Sequence, residues 1–267
     1  AAFCRVNGAL GRMRLLRVLW EEDDSPAHPP PTDARWDAVV VAARLEAEPP
    51  RLTQAGIMRR DDLRRLFDGL GADTSRWSLA LDLARATGLV RPAAGALHGF
   101  PESNPRPLAE PAALIAAAGV RRAAEALVRV AADAWIRLDR LGAHLETRLP
   151  AALAEPDGDF ASREAGWLRE AANILHRLGM LDALRSADGV VAFRKPQARP
   201  PRQPGFLLTP DREILVAPGE LSGREYGRLC RLAPYHDGDV VYRHRLSRIG
   251  VAADLEAGHD DAVVFLE

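Results

Sequence analysis

Cysteine and lysine are almost absent from this 267-residue chain. The two cysteines, Cys4 and Cys230, are too few for a disulfide framework or a four-thiolate zinc site, and a reducing cytoplasm is the expected setting. Of the 36 Lys and Arg residues only Lys195 is a lysine, so the other 35 are arginine. A phosphate-binding loop of the form G-x-x-x-x-G-K-[ST] needs its lysine behind a glycine-rich turn. Lys195 stands instead in Phe193-Arg194-Lys195-Pro196, so this segment is not a P-loop ATPase. Aromatic residues make up only 6% of the chain while alanine is abundant, a composition that favours helix over sheet. No run of about 18 apolar residues is present to span a membrane. The opening stretch carries Arg5, Arg12 and Arg14 without a clean apolar signal core.

What is present is charge, unevenly spread. The net charge is −1. Residues 51–91 hold eight arginines against five acids, and residues 161–202 hold eight Lys and Arg against four acids. The stretch 205–267 reverses this, with seven arginines against eleven acids. Two basic islands therefore lie in an otherwise acidic chain.

The pattern divides the chain into six stretches. Residues 1–50 read as a helical segment with an acidic, proline-rich loop, helical over Leu10–Trp20 and again over Trp36–Leu45. Residues 51–100 read as a winged-helix-like unit. Leu63, Leu66, Phe67 and Leu70 form one apolar stripe ending at Gly71, Asp73 or Thr74 caps the next helix, and that helix stops at Gly88 before a short strand at Leu89-Val90. Residues 101–150 read as a long helical region, with Trp135, Leu138, Leu141 and Leu145 on one face of a helix spanning 112–147.

Residues 151–196 repeat the plan. Ser162 caps a helix over Arg163–Leu178, Gly179 stops it, and an Asp188-Gly189 turn joins two apolar runs into a hairpin wing. Residues 197–204 are a proline-rich linker, and 205–267 an α+β domain in the order β-β-α-β-α-α. The expected fold class is mostly α with a small α+β C-terminal domain, in which tandem winged-helix-like units precede the β-β-α-β-α-α module.

Catalytic and metal constellations are weak. His236, Asp237, Asp239 and His244 with His259, Asp260 and Asp261 lack the spacing of any zinc motif. Cys230 falls on the apolar side of a helix with Tyr226 and Leu229, where it serves as a small core residue. No G-x-S-x-G sequence occurs. Trp77 and Trp167 lie in apolar helix stripes, which favours core packing over stacking on bases. No enzymatic activity and no cofactor are expected.

Gly205-Phe-Leu-Leu-Thr-Pro-Asp-Arg-Glu-Ile-Leu-Val-Ala-Pro218 resembles the opening of the N-terminal accessory domain of XPB-type DNA repair helicases. Tyr242-Arg243, Leu246-Ser247-Arg248, Leu255-Glu256-Ala257-Gly258 and Ala262 to Glu267 extend the likeness. Leu52 to Leu66 is similar, more loosely, to the upstream part of bacterial helicase-associated domain proteins, which carry this module without the helicase motor. The resemblance implies association with DNA or with DNA-processing machinery such as a helicase, and a damage-recognition-like role. It also implies a module expected to continue beyond Glu267. No helicase motif is present, so unwinding is not carried over, and the net −4 of residues 205–267 is a poor charge for gripping phosphates.

A helix-turn-helix sets its second helix in the major groove, where arginines bond phosphates and guanine edges. The candidate DNA contacts are Arg59, Arg60, Arg64, Arg65, Arg76 and Arg85 in the first unit. In the second they are Arg163, Arg169, Arg177 and Arg185, with Arg194 and Lys195 at the wing. Against this, the interleaved charges of Arg60-Asp61-Asp62 and Arg64-Arg65 also suit a solvated helix face. The expectation is a cytoplasmic, nucleoid-associated DNA-binding protein for duplex or distorted DNA. The alternatives are an adaptor whose winged helices dock proteins and a winged-helix transcription regulator.

Overall fold

The computed structural model describes residues 20–21, 33–108, 111–142, 160–187, 189–197, 205–217, 220–238, 241–246, 248–256 and 258. They form a mixed α/β chain with three small antiparallel sheets. Two compact units result. One, the split unit, combines Pro31–Ala109 with Pro200–Glu267; the other, the insert unit, combines Ala1–Pro30 with Glu110–Arg199.

The split unit is organised around α1 (Ala34–Ala47). Its run Ala38-Val-Val-Val-Ala42 has no polar stripe, and a helix apolar on all sides must be covered on all sides. Residues 38–42 are all buried, as are Trp36 and Leu45. Two helices follow, α2 (Arg60–Asp68) and α3 (Thr74–Thr87). The Asp73 carboxylate accepts from the backbone N–H of Arg76 at 3.0 Å and caps α3. Gly88 ends the helix in the left-handed conformation (φ 77°), which a side chain disfavours. The single short strand expected at Leu89-Val90 is a hairpin, β2 (Val90–Ala93) and β3 (Ala96–Gly99), closed by Ala94 and Gly95, both at positive φ. Strand β3 lies against α1 so closely that a Cβ on Gly99 would fall 1.7 Å from the Ala42 carbonyl oxygen.

The remaining elements of this unit come from far along the chain. Strands β7 (Leu207–Leu208) and β8 (Glu213–Val216) form the expected hairpin. Helix α6 (Gly223–Leu232) starts at a Ser222–Glu225 capping box and packs on α1. Strands β9 (Tyr235–Gly238) and β10 (Tyr242–Arg245) follow, then α7 (Arg248–Glu256). The described order is β-β-α-β-β-α, in a sheet β7-β8-β10-β9. Strand β9 was expected as a turn, because Asp and Gly are poor strand formers. Pairing of Asp237 with Arg243 and of Tyr235 with His244, across a bulge, holds it in the sheet. A last helix expected over 260–266 lies outside the described residues.

The insert unit contains a 3-10 turn (Pro111–Leu114), α4 (Ala118–Val130), β4 (Trp135–Arg137), a helical turn at 138–142, α5 (Phe160–Arg177), β5 (Asp182–Ser186) and β6 (Gly189–Arg194). Its sheet runs β1-β4-β6-β5, where β1 is Trp20–Glu21. The long helix expected over 112–147 is interrupted. Trp135 and Ile136 are good strand formers, and Ile136 pairs with Phe193 of β6. Trp135 therefore belongs to a strand and not to a helix face; Leu145 lies outside the described residues. Helix α5 starts at Phe160, which puts Ser162 inside it rather than at its cap. Gly179 and the β5–β6 hairpin fall where expected. Leu127, Ile136, Leu168, Leu175 and Phe193 form the centre of this core. The helix expected over Leu10–Trp20 lies outside the described residues up to Trp20, which is in β1. Linker residues 198–204 are also outside them.

Candidate nucleic-acid interface

In the split unit, the first turn of α3 exposes Thr74 and Ser75 but turns Arg76 and Trp77 inward. The Arg76 guanidinium donates from Nε to Asp37 Oδ2 at 3.0 Å and from Nη2 to Asp37 Oδ1 at 2.7 Å, and Nη1 donates to the Gly238 carbonyl at 2.6 Å. Asp37 is fully buried on α1. The Tyr242 hydroxyl donates to Asp37 Oδ1 at 2.6 Å and lies 3.1 Å from the Asp33 carbonyl. Burial opposes the charge on Arg76, but the Asp37 carboxylate more than offsets it, and the guanidinium pKa is raised. Beside this ion pair Trp77 meets Tyr235 edge-on with ring centroids 5.4 Å apart. Arg76 was expected at the DNA. It is a buried structural cation, because its partners on α1 and β9 need it more than solvent does.

The aromatic layer continues beneath the sheet. Trp36 packs on Tyr226 with centroids 3.8 Å apart. The Tyr226 hydroxyl donates to His244 Nε2 at 3.0 Å, while His244 Nδ1 donates to the Ala233 carbonyl at 2.9 Å. Burial lowers the His244 pKa to about 4, only partly offset by that carbonyl. Cys230 is buried too, and burial pushes its thiol well up, which suits a core residue rather than a nucleophile.

An open cleft of about 520 Å³ lies between the α2–α3 turn and the β9–β10 hairpin, lined by Asp73, Arg76, Trp77, Tyr235, Asp237 and Arg243 among others. Three of its polar groups are already engaged: Asp73 caps α3, the buried Arg76 holds Asp37, and Asp237 accepts from the Gly238 N–H at 2.7 Å. Among the described residues no group of three His, Cys, Asp or Glu side chains is placed to hold a metal ion. Asp239, His259, Asp260, Asp261 and Cys4 lie outside them.

The other arginines of the first set are exposed. On α2, Arg65 pairs with Asp62, and Arg64 lies 3.7 Å from Asp68. Such surface pairs contribute little stability and dilute the field of the helix. Arg59, Arg60 and Arg85 make no ion pair among the described residues. The outward residues of α3 include Asp82 with Arg85, so its open face is electrically mixed.

The second set divides the same way. Arg169, on the open side of α5, and Lys195, just beyond β6, are exposed and make no ion pair among the described residues. Arg185 is half-buried and donates to Asn173 Oδ1 of α5 at 2.8 Å, tying hairpin to helix. Arg194 lies 3.5 Å from the buried Asp182 carboxylate and stacks over Trp135 at 4.2 Å, with only 13% of its side chain exposed. Arg177 is buried at the end of α5. Arg163 falls in the first turn of α5, where only the backbone is described. Arg177 and Arg194 are thus withdrawn as phosphate contacts, since an arginine stem that packs in the core no longer reaches DNA.

Two exposed cations escaped the sequence reading, Arg51 and Arg91. They sit in a loop and on a two-strand hairpin without helical periodicity, and only the strand pairing brings them together. Comparison with known proteins adds no further assignment: the chain matches no protein-family model, no curated protein and no solved structure.

Proposed function

We propose that the chain is a non-enzymatic DNA-binding protein of the DNA-processing type, built on two winged-helix-like units, with DNA contact through the insert unit. The observation that carries this reading is the open side of α5, where Gly166, Arg169 and Glu170 are exposed. The adjoining hairpin is bonded to the same helix through Arg185 and Asn173 and leads out to Lys195. A helix with a free face beside a tethered hairpin is the arrangement that sets a helix in a groove and a strand pair on the backbone. The likeness of residues 205–267 to the helicase accessory domain supports a place beside DNA-processing machinery in the nucleoid. No described helix is long and apolar enough to cross a membrane.

The test is fluorescence anisotropy of the full chain with labelled duplex, single-stranded and mismatched DNA over a salt titration. Replacing Arg169 and Lys195 by glutamine is expected to weaken binding to every sequence alike and to lower the log–log salt slope by about two. Unchanged affinity and slope would sink the assignment. Arg177 and Arg194 are unsuitable targets, because their loss unsettles the core.

A second reading has its own support. Arg76 and Trp77 of α3 are packed against the β9–β10 hairpin, so this helix already holds polypeptide within its own compact unit. On the adaptor reading α5 does the same with a partner protein, and duplex DNA fails to bind even at low salt.

A further inference from the structure

Two bridges fold residues 50–59 onto themselves and onto the β2–β3 hairpin, and of the candidate arginines only Arg59 lies here. Leu97 N–H donates to the Pro50 carbonyl at 2.9 Å and Leu52 N–H to the Gly95 carbonyl at 2.8 Å, which sets Arg51 opposite Ala96. On the other side Leu52 pairs with Met58, and Thr53 N–H donates to the Ile57 carbonyl at 2.9 Å. Arg59 follows Met58 in extended conformation. Arg91 stands opposite His98 on β2 and β3.

The period of two then sorts the side chains. Met58, Leu97 and Val90 are buried on one face. Directly paired residues share a face, so Arg59, Arg51, His98 and Arg91 fall on the other, and all three arginines are exposed. Neighbouring strands are about 4.8 Å apart, so Arg59 lies directly beside Arg51, and Arg91 stands two strands over and two residues along on the same face. None of the three arginines makes an ion pair among the described residues, and Arg91 is steadied by stacking over Phe100 at 4.3 Å. Residues 50–53, 57–59, 90–93 and 96–99 include no acid. The contrast is α2, where the arginines alternate with Asp61, Asp62 and Asp68.

We infer that this face, carried by Arg51, Arg59 and Arg91, is a second contact for the phosphate backbone of duplex DNA. It deepens the DNA-binding reading and rests on it. It also reverses the expected roles within this unit: the hairpin side meets DNA while the start of α3 holds the protein together. Cations with no acid among the paired strand residues favour a polyanion, and an exposed cationic face across strands suits a repeating backbone better than a peptide side chain.

The experiment measures anisotropy of labelled duplex with the full chain carrying Arg51→Gln, Arg59→Gln and Arg91→Gln together, beside the variant with all three changed to lysine. Thermal melts of both check the fold, and labelled polyglutamate of matched charge is run as a second probe. The glutamine variant is expected to lose at least about tenfold in affinity near 0.1 M salt and to lower the salt slope by two to three, about one per lost phosphate contact. The lysine variant should retain most of the binding. If the wild-type chain binds duplex and the Arg169/Lys195 variant weakens it while the glutamine triple does not, this second contact is wrong and the first stands. If the wild-type chain binds no duplex, both fail. Polyglutamate bound as tightly as duplex and lost in the glutamine triple would overturn DNA as the occupant.

Discussion

Helices α3 and α5 follow one plan, each ending at a glycine (Gly88, Gly179) and running into an antiparallel hairpin, yet their arginines end in opposite places. In α3 the cation of the first turn, Arg76, is buried, and Arg85 of the last turn is exposed. In α5 Arg177 of the last turn is buried, and Arg169 in the middle is exposed. Nothing local distinguishes them, since each is an arginine on an amphipathic helix. Asp37 decides the case of Arg76, from a helix 39 residues earlier. The sequence pattern therefore marks where such a helix begins and ends, but which of its charges are free depends on distant partners.

Breaking the buried pair is the strongest way to test that contrast. Asp37→Ala leaves the Arg76 charge buried without its carboxylate and removes the nearer of two acceptors for Tyr242, leaving the Asp33 carbonyl. A loss of about 3–5 kcal/mol is expected in urea unfolding, whereas Arg169→Gln should change stability by less than about 0.5 kcal/mol. Equal effects at the two positions would erase the distinction drawn between the helices.

Gly99→Ala comes next. The added methyl meets the Ala42 carbonyl on α1, and a backbone atom cannot swing aside. The cost should lie at or above the upper end of the about 1–3 kcal/mol typical of overpacking. A melting temperature unchanged from wild type would mean that β3 does not lie on α1 so closely.

Acid provides the mildest probe. His244 has its pKa lowered to about 4 in the folded state, so the unfolded chain takes up the proton first. Its contribution is fully present above about pH 6.5, declines as pH falls, and is gone below about pH 4, up to about 3 kcal/mol in all. The difference between wild-type and His244→Gln unfolding free energies, followed from pH 7 to 4, should shrink by that order. A pH-independent difference would remove the buried neutral imidazole from the account.

Much of the local structure was legible. Asp73, Gly88 and Gly179 mark helix ends, and Gly189 opens β6, because caps and turns are settled by residues within a few positions of each other. Strand β4 was hidden in an alanine-rich stretch whose composition speaks for helix, and only pairing with β6 makes it a strand. Strand β9 was hidden because Asp237-Gly238 reads as a turn until β10 pairs with it. The row Arg51, Arg59 and Arg91 had no periodicity to betray it, since it is assembled across strands and not along one.

The sequence by itself therefore determined the helices with good caps, the hairpins with good turns, the buried character of α1 and the two basic islands, because each depends on short-range geometry or on composition. Tertiary structure alone decided which arginines remain available. The Arg76 guanidinium bonds a carboxylate 39 residues away and a carbonyl 162 residues away. It also decided that residues 31–109 and 200–267 form one compact unit. The physical reason is the same in both cases: a buried charge or an apolar helix face is tolerable only once its partner arrives, and here the partners lie far apart in the chain.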